Sequence, residues 1–289
     1  FTVPNFFAIE GCTGNIVPDE GRAVHGVLYA CDDRYLPVLD ELEAVDVAYA
    51  RRELEVETYG GERVVAYVYV GLPARVVPEG MPSLRYRNIL VQGARDAGLR
   101  DDYVAWLGDL PVVERPDPEP FLHPEEGERL TPEQLASRSS HVALAGADFD
   151  MSTAPPEHAY LERLFAGRDA TLFFLKRMDT SDGSETLADI SEGNLTEVQR
   201  RYLDAYLHEF DRVYRYVGRL QYGGASKGRG ERIASAARAA HTFDPARAHE
   251  RHGEILVPSR RVLNEAEQTN RRLGHENLGF LSEVHGFAP

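Results

Sequence analysis

The chain is short of several things that would have narrowed its class. It has only two cysteines, Cys12 and Cys31, among 289 residues. Two thiols cannot build a disulfide framework, so the sequence fits a reduced, cytoplasmic protein with small buried thiols. It lacks any run of about eighteen apolar residues, so no segment is expected to span a membrane. No signal-like segment leads it. Basic charge is scarce: 32 Lys and Arg stand against 47 Asp and Glu, a formal net charge of -15. Nucleic acid and anionic membranes both require clustered cations, so neither is an expected partner. The chain opens with Phe1 rather than Met, which is consistent with a native N-terminal segment being absent from it.

What is present is enough to build cores. Hydrophobic residues make up 43% of the chain, and its length suits two domains. Ala23 to Ala30 is short and apolar and reads as a strand. Asp32 and Asp33 then offer N-caps to a helix carrying Leu36, Leu39 and Leu42-Glu43. Arg52 to Tyr59 alternates, and Gly60-Gly61 closes a hairpin into Val64 to Val70. Pro82-Ser83 opens a helix with Tyr86, Ile89, Leu90 and Gly93, and another follows around Tyr103 to Leu107. The first domain, residues 1–110, is therefore mixed and centred on an antiparallel sheet.

Residues 111–129 are Pro-rich and acidic, a composition that stays extended and reads as a linker. Structure resumes with Thr131 as N-cap and Pro132 at the first helical position. His141 to Leu144 reads as a strand, with Gly146 turning into Phe149-Asp150-Met151. Thr196 and Gln199 fit a capping box. Leu203, Tyr206, Leu207, Phe210, Val213 and Tyr214 line one long apolar face. This second domain spans 130–222. A break at Gly223 to Gly230 opens an extension, 223–289, with one helix-like segment and a His-bearing tail. The apolar residues of that tail suit docking, which gives His275 or His285 a way to reach a site, surface docking being the simpler expectation. His249-Glu250-Arg251-His252 has a His spacing of three, not the four that sets two imidazoles on one helical face, so no metal site is expected there. Gly223-Gly224-Ala225-Ser226-Lys227-Gly228 has the wrong order for a phosphate loop.

By pattern alone Glu43 is one acid near the end of a short helix, and most such acids are solvated. A resemblance changes its weight. Gly26-Val27-Leu28-Tyr29, Leu39-Asp40-Glu41-Leu42-Glu43-Ala44-Val45 and Tyr49 resemble the γ-glutamyl cyclotransferase family. The likeness continues through Tyr67-Val68-Tyr69, Pro82-Ser83 with Tyr86, Gly93 to Leu99, and Tyr103. It implies an α+β fold, a mixed barrel or sheet domain, and an enzyme of the acyltransferase or lyase class. It also implies that Glu43 is the general acid/base releasing 5-oxoproline and a free amine from a γ-glutamyl small molecule, with no cofactor needed. Tyr49, Tyr69 and Tyr86 are then candidate substrate-binding residues. Tyr69 and Tyr86 are equally readable as core tyrosines, Tyr86 the more so. Two departures stand out. The family's Tyr-Gly-Ser-Asn loop is absent, and Ala44 replaces the usual Gly after the Glu. Gly11-Cys12-Thr13-Gly14, nearby, reads as a plain turn.

From Leu130 to Leu220 the chain resembles the membrane-associated progesterone receptor family, a small cytochrome b5-like α+β group. The matching pieces are Leu130 to Leu135, Val142 to Gly146, Phe149 to Ser152, Phe165-Ala166-Gly167-Arg168-Asp169-Ala170-Thr171, and Tyr214 to Leu220. The resemblance implies haem b as a candidate cofactor, held by a tyrosinate. Tyr160 is the nearest candidate ligand, with Tyr214 at the haem edge. Val213 stands where the family has Lys, and His158 is a poorer ligand than Tyr160. Both tyrosines also read as helix-packing residues. The alternative to an enzyme is thus a haem- or small-ligand-binding protein whose first domain is a scaffold.

Overall fold

The computed structural model describes residues 1–222. The expected break after Gly223, the helix-like segment from Glu231, His249 to His252, His275 and His285 lie outside the described residues. The chain divides into two units. One holds Phe1–Asp117 with Lys176–Gly183, and the other holds Pro118–Leu175 and the described chain from Ser184 onward.

The first unit is mixed α+β. Strands β1 (Val3–Pro4) and β2 (Cys12–Thr13) pair antiparallel. Asp32 caps a tight turn by accepting the Arg34 N–H, and helix α1 (Leu36–Leu42) follows with Pro37 in its first turn. Strands β3 (Tyr49–Glu57) and β4 (Arg63–Gly71) form the expected hairpin, paired from Tyr49–Gly71 to Glu57–Arg63. Its loop turns at Gly61, φ 81°. Helix α2 (Leu84–Asp96) starts at Ser83, whose hydroxyl accepts the Tyr86 N–H at 3.1 Å. It buries Tyr86, Ile89 and Ala94. Helix α3 (Asp101–Asp109) buries Leu107 and leaves Trp106 exposed, stacked on Tyr103.

Two expectations for this unit fail. Ala23 to Ala30 is not a strand: the segment has no ladder partner, and Val24 is 65% exposed. An apolar run becomes a strand only when a neighbour takes its backbone bonds, and β3–β4 does not. Nor is there a barrel or a wide central sheet among the described residues, whose strands in this unit form two sheets of two.

The linker remains without helix or strand from Pro111 to Gly127, and β5 begins at Glu128, inside the span assigned to it. It is nevertheless tied down. Val113 N–H bonds the Pro82 carbonyl at 2.9 Å in the first unit. In the second, Phe121 N–H bonds Asp204 at 3.0 Å and His208 Nε2 lies 2.9 Å from the Glu119 carbonyl. Proline withholds donors from a ladder, but the carbonyls of such a segment still accept.

The second unit is a five-stranded mixed sheet with helices. Its elements are β5 (Glu128–Leu130), α4 (Pro132–Ala136), β6 (His141–Leu144), β7 (Ala147–Asp150), α5 (Ala159–Phe165), β8 (Arg168–Asp169), α6 (Thr171–Lys176), α7 (Leu187–Ser191), α8 (Glu197–Val213) and β9 (Arg215–Leu220). The strand order is β5-β9-β7-β6-β8. Thr131 and Thr196 cap α4 and α8 as expected, the second in the predicted box with Gln199; Thr131 also closes a box with Gln134. The β6–β7 turn is Ala145-Gly146, both at positive φ, which matches the twist of a two-residue hairpin. Helix α8 buries Leu203, Tyr206, Leu207 and Phe210. These join Phe149, Phe165 and Phe174 in an aromatic core, with Phe174 and Tyr206 centroids 4.1 Å apart. Each such side chain contributes about 1.5–3 kcal/mol on burial. The Phe165 to Ala170 motif is structural here: Arg168-Asp169 pairs with Val142-Ala143 as an edge strand.

Asp150 fastens this sheet. Its carboxylate accepts from Ser152 N–H (2.9 Å) and Ser140 Oγ (3.1 Å) and pairs with Arg215. Burial alone would raise its pKa, but the bonds from Ser152, Arg215 and Ser140 outweigh it and hold the carboxyl well below the ordinary range. A depressed carboxyl contributes stability above its unfolded pKa of about 3.9 and loses it as acid protonates the native state. Asp150→Asn is therefore expected to cost about 2 kcal/mol at neutral pH. The gap from wild type should close as pH falls below about 4, read from melting curves across pH.

Candidate functional site

Glu43 closes α1 as its C-cap residue and is 3% exposed. The backbone around it forms a Schellman motif. Val45 N–H reaches the Asp40 carbonyl at 2.9 Å, and Ala44 N–H reaches that of Glu41 at 3.1 Å. The motif demands a left-handed residue after the cap, and Ala44 takes it at φ 47°. The replacement of glycine therefore leaves the turn intact at the cost of strain. Left-handed alanine costs about 1–2 kcal/mol, and the extra entropy of glycine offsets about 0.5–1. Ala44→Gly should stabilise the protein by about 0.5–1 kcal/mol, measured as a shift in denaturant midpoint.

The chain then folds back so that Ala48 and Tyr49 are buried, 2% and 1% exposed. Burial pushes the Tyr49 phenol up, and Tyr86 and the Glu43 charge add to it while the Thr13 bond opposes. Tyr69 is raised as well, by burial first, then by its bond to Asp40 and the charges of Asp40 and Glu43. Glu43 is thus within electrostatic reach of both phenols. This brings together three of the residues the sequence singled out.

The hydroxyls are engaged with the protein itself. Tyr49 donates to the Gly14 carbonyl at 2.8 Å and lies 2.6 Å from Thr13 Oγ1. Tyr86 accepts the Gly14 N–H at 3.2 Å. Tyr69 donates to Asp40 at 2.9 Å, and Arg51 grips both oxygens of that carboxylate at 2.8 and 2.9 Å. Tyr49 and Tyr86 therefore clamp the backbone at Gly14 rather than presenting free hydroxyls, and Gly11-Cys12-Thr13-Gly14 is more than a plain turn. Asn15 continues the clamp by accepting the Gly71 N–H at 2.8 Å.

Sequence reasoning gave no role to Asp40, Arg51 or Asn15. Asp40 had a readable signal: three residues before Glu43, it lies on the same face of α1. Also missed was a buried ion pair. Glu10 and Arg85, with side chains 4% and 9% exposed, meet at 2.9 Å. Ser83 Oγ donates to Glu10 at 2.8 Å, and Arg85 reaches the Arg177 carbonyl at 2.6 Å.

Residues 23–107 match the AIG2-like family, which includes γ-glutamyl cyclotransferase-like proteins. The match takes in Glu43, Tyr49, Tyr69 and Tyr86 and stops short of the second unit. No curated protein and no solved structure matches the chain.

The haem candidates behave differently. Tyr214 packs on α8, as its helix-packing reading has it: it is 3% exposed, against Phe210, with its hydroxyl 2.9 Å from His158 Nδ1. His158 is likewise buried. The Tyr214 hydroxyl and His158 Nδ1 are thus engaged with each other. Tyr160 lies on α5, and its side chain is outside the described part of the structure. The described side chains give no support to a haem. Among the described residues, no group of three or more His, Cys, Asp or Glu could hold a metal ion, and no helix is long and apolar enough to cross a membrane.

Proposed function

We propose that the first unit is a γ-glutamyl cyclotransferase-type catalyst with Glu43 as its general acid/base. The observation that carries this is the burial of Glu43 beside Tyr49 and Tyr69, within the stretch that matches the AIG2-like family. The substrate's α-amino nitrogen attacks its own γ-carbonyl carbon. A C–N bond forms to close the five-membered lactam, and the γ-carbon–nitrogen bond to the leaving amine breaks. Glu43 accepts the proton lost by the attacking nitrogen and delivers it to the departing one, giving 5-oxoproline and a free amine. Nucleophile and electrophile share one molecule, so orientation does most of the work and one relay carboxylate suffices. Asp40, held by Arg51, fixes Tyr69, and the Gly14 clamp fixes Tyr49 and Tyr86. Asp40, Arg51, Tyr69, Tyr49 and Tyr86 are positioning residues around Glu43.

The test is 5-oxoproline release from a panel of γ-glutamyl amides and amines, compared between wild type and Glu43→Gln. Release that depends on Glu43 supports the assignment, and equal release from both proteins ends it. No observation favours haem binding as a second function.

A further inference from the structure

A cavity of about 330 Å³ opens at the β5–β9 edge of the sheet, lined by Arg129, Arg219, His123, Leu220, Tyr222 and the Ala145-Gly146 turn among others. Arg129 and Arg219 are register partners on parallel neighbouring strands. Like charges side by side on one face of a sheet destabilise it. Neither arginine forms an ion pair among the described residues, although the chain has 47 acidic groups to 32 basic ones. The closeness of β5 to β9 depends on glycine, because a Cβ on Gly218 would fall 2.0 Å from the Glu128 carbonyl oxygen.

Two nitrogens at this place are orphaned. Arg219 Nε and His123 Nδ1 are buried with no hydrogen-bond partner. Arg219 is held by its other end, donating through Nη2 to the carbonyls of His123 (2.9 Å) and Pro124 (3.1 Å). Buried polar atoms without partners are costly and rare. No carboxylate lines the cavity. The nearby buried acid, Asp169, is bonded to Thr171, whose hydroxyl lies 3.3 Å from that of Tyr222. The remaining wall, from Leu220, Ala145 and the Tyr222 ring, is apolar.

We infer that this cavity is a binding site for a small organic anion: a phosphate or carboxylate head between Arg129, Arg219 and His123, with an apolar body against Tyr222 and Leu220. An oxyanion placed there neutralises two adjacent guanidinium groups at once, neither of which has a carboxylate partner among the described residues. The volume suits a compact ligand with a ring or short chain, and exceeds that of an inorganic ion.

The inference is independent of Glu43 and is tested by calorimetric titration of the full chain. Phenyl phosphate and benzoate are the two anionic probes, and phenol supplies the same ring without the charge. At least one anion should bind saturably, with phenol binding far more weakly, and the tighter anion names the head group. Arg129→Gln should weaken that binding about tenfold or more. Arg219→Gln should do the same, but its carbonyl bonds make it a risk to folding, so Arg129→Gln decides. No saturable binding of either anion at millimolar concentration overturns the site, as does phenol binding equally or an affinity unmoved by Arg129→Gln.

Discussion

Glu43→Gln is expected to lower 5-oxoproline release by about a hundredfold to ten-thousandfold, the range over which a positioned proton relay contributes. The loss should fall on kcat, because a relay acts in the transition state and not in binding. The amide keeps the shape and volume of the carboxylate, so a side chain that is 3% exposed is replaced without opening a hole. The melting temperature should therefore change little, and a folded but inactive variant separates chemistry from packing. The Schellman backbone holds Glu43 by main-chain bonds from Val45 and Ala44, and these do not depend on its carboxylate. Ala44→Gly relaxes the same turn while leaving the acid in place. It should retain most of the activity, which would mark the loss in Glu43→Gln as one of proton transfer.

Parts of this molecule that depend on neighbouring residues were legible in the sequence. Ser83, Thr131, and Thr196 with Gln199 announce helix starts because a cap is a bond between residues two or three apart. The apolar face of α8 follows from helical spacing, and the β3–β4 hairpin follows from alternation around Gly60-Gly61. Ala23 to Ala30 misled because apolarity is local while a ladder is not. The burial of Glu43 was not visible in its own short helix. It arises where residues 44–49 turn back, and only the likeness to a family singled the residue out beforehand. Arg129 and Arg219, ninety positions apart, become neighbours only through sheet order.

Arg85→Met is expected to destabilise the first unit by about 3–5 kcal/mol, the cost of removing one partner from a buried ion pair. The guanidinium holds the Glu10 carboxylate through Nε at 3.0 and 3.2 Å and through Nη2 at 2.9 Å. Methionine fills similar space but supplies no donor, so Glu10 keeps its desolvation penalty and loses its counter-charge. Replacing both partners, as Glu10→Leu with Arg85→Met, removes the stranded charge and should recover much of the loss. Recovery stays incomplete, because the Arg177 carbonyl and Ser83 Oγ lose bonds as well. Urea unfolding of the four proteins in the cycle measures the coupling, and a single-variant loss below about 1 kcal/mol would reduce the pair to an ordinary surface bridge. The pair also bears on the candidate site. Glu10 anchors Ser83, the residue that caps α2, and α2 carries Tyr86, whose hydroxyl accepts the Gly14 N–H. Weakening the anchor should therefore loosen the Gly14 clamp before the unit melts. In the Arg85→Met protein, 5-oxoproline release is expected to fall at temperatures where the protein is still folded, and the Glu10→Leu, Arg85→Met protein should regain part of it.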